Sequence, residues 1–150
     1  MKYGSQIKAA AVKNGEDPLL LAAIAAQESG GPGVDNGNAN LLGDFGHGHG
    51  LTQIDDRWHS TWIDKNDWRD PGVNADEGAS ILAGFIRAEN GDVWAGVHDY
   101  NAGNKHNAST KTSWPDGRLN YQDSVRRHLA LLKKHHASVD CTAGGGSTGS

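Results

Sequence analysis

A chain of 150 residues with a formal net charge of −4 and no basic cluster is sized for one domain and lacks the electrostatic footprint of a nucleic-acid binder. Its single cysteine, Cys141, excludes an intramolecular disulfide, so packing alone must hold the fold. The most apolar run, PLLLAAIAA at 18–26, is too short to span a membrane and lacks the basic start and cleavage site of a signal peptide. The chain therefore reads as a cytoplasmic product or as a mature domain behind a start Met.

In chain order, residues 4–14 place Ile7, Ala10, Ala11 and Val12 at helical spacing, with Gly15 as the stop. Asp17-Pro18 opens a second helix, Asp17 as N-cap and Pro18 at the first position, running to about Ser29. Residues 30–50, rich in Gly and Asn, read as loop. GLTQID at 50–55 alternates apolar and polar residues like a short strand. Asn74 can cap a helix over 75–90, with Ile81, Leu82, Phe85 and Ile86 on one face, and Asp92 can cap the next, which ends at Gly103. Residues 104–119 read as a surface loop. Residues 121–136 form an amphipathic helix striped by Val125, Leu129 and Leu132, with Leu131 beside them. Gly, Ser and Thr dominate the end, so residues 139–150 read as flexible tail after a domain over 1–138. The expected class is α+β, mostly α: five helices with a small sheet.

The run LAAIAAQESGG, 21–31, joins an almost wholly apolar helix to a carboxylate, Glu28, and then stops. A Glu in a last helical turn normally faces water, yet it opposes the helix dipole there. A helix apolar all round is buried. A carboxyl at its mouth is desolvated, keeps its proton more readily and can serve as a general acid. Such an acid needs a partner. Asp44 and Asp55 bracket the glycine-rich segment GDFGHGHGLTQID; each alone would read as a solvated turn residue, but with Glu28 they suggest glycoside hydrolysis.

QESGG, GDFGHGHGLTQID, HDYNAG and NYQDSV follow one another in this order. The set resembles goose-type lysozyme, in the lysozyme-like superfamily that also contains the lytic transglycosylases, over roughly residues 17–135. The resemblance implies a lysozyme-like fold in which a central buried helix and a small hairpin or sheet line a cleft. It places the acid on Glu28, followed by Ser29, and the two aspartates on Asp44 and Asp55. It matches the family's Gly-Leu-Met-Gln to Gly50-Leu51-Thr52-Gln53, with Thr in place of Met. Substrate contacts are expected at Gln53, His59, Phe85, Tyr100, Asn101 and Tyr121. The chain lacks the disulfides of vertebrate members, and His47 and His49 stand in the glycine loop where aromatic or small residues are expected.

On this resemblance the expected activity is bacteriolytic hydrolysis of the β-1,4 bond between N-acetylmuramic acid and N-acetylglucosamine. Glu28 would give the proton, and Asp55 with Asp44 would hold water on the opposite face, giving inversion. A lytic transglycosylase needs only the Glu, because the muramic 6-hydroxyl attacks internally. A chitinase and an inactive glycan-binding module are further readings of the same pattern. The partners expected are peptidoglycan strands or chito-oligosaccharides, handled by a secreted monomer or a phage endolysin released to the wall, with no nucleic acid, membrane, metal or other cofactor. For metal, HGHG and the pair at 135–136 show no third ligand at suitable spacing, and DNGNAN at 35–40 lacks an oxygen ligand at its third position and the closing Glu of a calcium loop. Of the tryptophans, Trp94 reads as core, Trp58, Trp62 and Trp68 as core or cleft with equal weight, and Trp114 falls in the surface loop.

Overall fold

In the computed structural model, which describes residues 1–110 and 119–142, the second helix is the centre of the molecule. Helix α1 covers Gly4–Lys13 and α2 covers Pro18–Ala25. Asp17 caps α2 by accepting from the Leu19 amide at 2.9 Å, and Pro18 occupies the first position, where its missing N–H costs nothing. From Leu20 to Ala26 every side chain is buried. The small alanines let α1, α4 and α6 approach from different sides, which is why an all-round apolar sequence is stable there. Among the described residues no helix is long and apolar enough to cross a membrane.

The helix does not simply end at Glu28. It widens into a π turn, Ala26–Gly30, in which the Gly31 amide reaches back to the Ala26 carbonyl at 2.9 Å. Such single π turns are common at functional sites. Gly31 then adopts φ 129°, ψ 176°, a conformation essentially restricted to glycine, and turns the chain away. Ser29 fastens the junction: its hydroxyl donates to the Leu51 carbonyl at 2.8 Å and accepts from the Asn38 amide at 2.8 Å.

Three two-residue strands follow, β1 (Leu42–Gly43), β2 (Gly48–His49) and β3 (Ile54–Asp55), in an antiparallel sheet of order β1-β2-β3. Gly43 pairs with Gly48, and Gly48 with Asp55. The segment expected to be a strand over 50–55 is strand only at Ile54–Asp55; residues 50–53 form the turn, with Gly50 and Gln53 at positive φ. Apolar–polar alternation misleads here because Leu51 and Thr52 are both wholly buried. Thr52 donates from its amide (2.8 Å) and hydroxyl (2.6 Å) to Asn74 Oδ1, and Asn74 Nδ2 donates to the carbonyls of His49 and Trp68. That network pins the hairpin onto α4, whose Gly78 lies so close to Thr52 that a Cβ would collide with it.

Asn74 is therefore no cap. Helix α4 spans Pro71–Ala88, a turn earlier than the sequence indicates, and is capped by Asp70, which accepts from Gly72 and Val73. Helix α3, Asp56–Lys65, has no counterpart in the sequence reading; Trp58, Trp62 and Ile63 give it a short apolar face at helical spacing, yet none of its residues is buried. Asp92 caps α5, Val93–Ala102, and Gly103 ends it at φ 87°, as expected. Helix α6, Tyr121–Thr142, buries Tyr121, Val125 and Leu132 against α2, whereas Leu131 is exposed. It continues past residue 138; the rest of the expected tail, 143–150, and Trp114 lie outside the described residues. Trp94 packs against the core as expected, with the Arg126 guanidinium 4.2 Å over its ring.

Candidate active site

A cavity of about 910 Å³ opens where the end of α2, the sheet, α3, α4 and α5 meet. Eight of the nine residues singled out in the sequence line it: Glu28, Asp44, Gln53, Asp55, His59, Phe85, Tyr100 and Asn101. The ninth, Tyr121, is buried behind the wall and donates its hydroxyl to Glu28 Oε2 at 2.7 Å across 93 residues of chain. Tyr100, on α5, lines the cavity and donates to the Thr52 carbonyl at 2.8 Å.

Glu28 remains partly open to the cavity as a residue, but its carboxyl is enclosed by protein. Burial raises its pKa from 4.5 to about 7, and the Tyr121 hydrogen bond opposes that rise. Burial also drives the pKa of both phenols up, so Tyr121 stays a neutral donor. The carboxyl is thus half protonated near neutrality, as a general acid requires.

Asp55 has the opposite environment. It caps α3, accepting from the Arg57 amide at 2.8 Å, and the Arg57 side chain returns to it through Nε (3.0 Å) and Nη2 (2.6 Å). The Arg57 hydrogen bond, assisted by its charge and opposed by partial burial, holds the Asp55 carboxyl below the ordinary range. The same Nη2 also pairs with Asp44 Oδ2. Arg57, which the sequence reading passed over, therefore binds the two aspartates into one unit on the cavity wall. Its only signal was its place two residues after Asp55.

Two expected substrate contacts already have structural tasks. Gln53 Nε2 donates to the carbonyls of Leu41 and Gly50, which holds the hairpin turn. Asn101 Oδ1 accepts from the amide and hydroxyl of Thr110, tying the following loop to α5. The tryptophans of equal weight divide: Trp58 is exposed and lines the cavity, Trp62 is half-buried on α3 away from it, and Trp68 packs edge-on against His49 with centroids 4.9 Å apart. His49 is buried, and its Nδ1 faces the carbonyls of His47 (2.9 Å) and Ile54 (3.2 Å), so it braces the loop.

Folding also supplies what chain spacing concealed near His47. One potential ligand atom each from His47, Asp55 and Asp56 lies within 4.8 Å of the others. Each already has a protein partner: His47 Nδ1 meets Asp56 Oδ1 at 2.7 Å, and Arg57 holds Asp55.

An acid kept protonated by burial, in one cavity with a carboxylate kept ionised by an arginine, is suited to cleaving a glycosidic bond, and the helical frame with its small antiparallel sheet is the lysozyme-like α+β fold. Within that class the chain belongs to the transglycosylase SLT domain family, which matches residues 5–121. Its activity is accordingly of the kind that cleaves the glycan strands of peptidoglycan. None of the curated proteins compared matches the chain.

Proposed function

We propose that the protein is a goose-type muramidase that hydrolyses the β-1,4 bond between N-acetylmuramic acid and N-acetylglucosamine with inversion. The observation that carries this reading is the division of labour in one cavity between Glu28, protonated up to about pH 7, and the Asp44–Arg57–Asp55 unit on a different element. Glu28 gives its proton to the glycosidic oxygen as the bond to the anomeric carbon breaks. Tyr121 holds the carboxyl in place and stabilises the carboxylate left behind. Asp55, assisted by Asp44, orients a water on the far face of the sugar and accepts its proton as the water oxygen bonds to the anomeric carbon.

A lytic transglycosylase is the second reading. One observation favours it: Arg57 engages both aspartates, and a carboxylate so held is a weaker base for water. Presence of the aspartate pair itself favours hydrolysis, since internal attack by the muramic 6-hydroxyl needs neither. Mass spectrometry of digested peptidoglycan separates them. Hydrolysis leaves reducing muramic acid ends, and a digest of 1,6-anhydro ends would overturn the proposal. The enzyme would act as a monomer on the wall outside the membrane, reached by secretion or as a phage endolysin.

A further inference from the structure

Two aromatic side chains stand in water beside the cavity and have no part in the chemistry above. Phe45 is 102% exposed and Trp58 is 81% exposed. The Phe45 ring contributes no buried area to the fold, and Trp58 contributes little. Phe45 also occupies the left-handed region, at φ 55°, ψ 31°, directly after Asp44 at φ 48°. A bulky residue there is an outlier, and such strain persists only where its surroundings over-determine it, most often at ligand sites. Here the β1–β2 pairing and the Asp44–Arg57 ion pair fix the turn.

That ion pair joins the residues immediately preceding the two rings. Phe45 and Trp58 therefore leave the chain from adjoining segments of one rim, and Trp58 lines the cavity that holds Glu28. The rim continues the cleft.

We propose that Phe45 and Trp58 form a further saccharide-binding subsite, on which N-acetyl sugars of a glycan strand stack as it passes out of the cleft over Asp44 and Arg57. This rests on the reading of the cavity as a glycan-cleaving one. A pyranose presents an apolar face of C–H groups to the electron-rich face of an aromatic ring while its hydroxyls stay in water. An open ring on a rim meets both needs. A second protein chain is a poorer occupant, because Asp44, Asp56 and Arg57 beside the rings would be buried with them, and interface cores are depleted in charge.

The test is calorimetric binding of chitohexaose, a β-1,4-linked N-acetylglucosamine oligomer, to Glu28→Gln protein, in which turnover does not interfere. Adding Phe45→Ala or Trp58→Ala weakens binding about tenfold each, the effect of leaving roughly 60 Å² of apolar face in water. Trp58→Phe keeps most of the affinity and Trp58→Gln does not. Both rings lie outside the core, so the thermal midpoint stays in place and reports an intact fold. Unchanged affinity in the Phe45→Ala/Trp58→Ala pair overturns the proposal, as does loss of self-association at unchanged sugar affinity. Glu28→Gln protein with a native rim that binds neither chitohexaose nor isolated glycan strands overturns the reading of the cavity together with that of the rim.

Discussion

Replacing Tyr121 with Phe isolates the one contact that opposes the effect of burial on Glu28. The Tyr121 hydroxyl donates to Glu28 Oε2 at 2.7 Å and favours the ionised form, while burial favours the neutral one. A hydrogen bond to a charged group is worth about 1.5–3 kcal/mol. Part of that survives in the protonated acid, which still accepts from the phenol, so the differential loss is about 1.4 kcal/mol, or one pH unit. The Glu28 pKa then rises from about 7 to about 8 in the variant. Glu28 works protonated, so kcat/KM is full below its pKa and falls as pH rises through it. The alkaline limb should therefore move up by about one pH unit in Tyr121→Phe. The acid limb, governed by Asp55 held below the ordinary carboxylate range, should stay in place. The assay is kcat/KM on a soluble glycan fragment across that range, at fixed ionic strength. An alkaline limb that stays put or moves down would refute the assignment of Glu28 as the acid, or of Tyr121 as its partner.

Glu28→Gln keeps the shape but has no proton to give, so lysis should fall at least ~10²-fold; near-normal turnover would remove Glu28 from the mechanism. The same change should stabilise the fold at alkaline pH. Because the folded pKa is raised, the carboxyl's favourable contribution is complete below 4.5 and lost as pH rises through about 7, a difference of about 3 kcal/mol that melting curves at about pH 4 and about pH 8.5 would reveal. Asp44→Asn and Asp55→Asn should each lose part of the activity and the double variant most of it, whereas full activity in the double variant points to internal attack. The first product from a β-linked oligosaccharide should be the α-anomer, read by proton NMR before mutarotation. Glu28 and Asp55 stand on different elements, which suits the gap of about 6.5–9.5 Å that accommodates a water better than the ~5 Å of direct attack; a β-anomer would exclude Asp55 as the water-holding base. Asn74→Ala should cost about 2–4 kcal/mol in denaturant unfolding, because it strands buried groups of Thr52, His49 and Trp68; a loss under 1 kcal/mol would show that the hairpin is not pinned through Asn74.

What could be read without coordinates was set by residues whose local physics leaves little choice. The apolar run around Leu21 and Ile24 can only be buried, Asp17-Pro18 and Asp92 cap helices by their own side chains, and Gly103 stops one. From these came the central helix, most of the helical order and Glu28 at a buried mouth. The ordered motifs added the lysozyme-like superfamily and the positions that turned out to share a cavity. The folded chain alone decided what depends on distant partners. Helix α3 buries none of its residues and starts at the Asp55 cap that folding supplies, and Asn74 looks like a cap until Thr52 and two carbonyls surround it. The chemistry divides in the same way. A sequence shows three carboxylates but not that Tyr121 reaches Glu28 from 93 residues away, nor that one arginine holds Asp44 and Asp55 together. Protonation follows burial and neighbouring charge, and both come into being only when the elements pack.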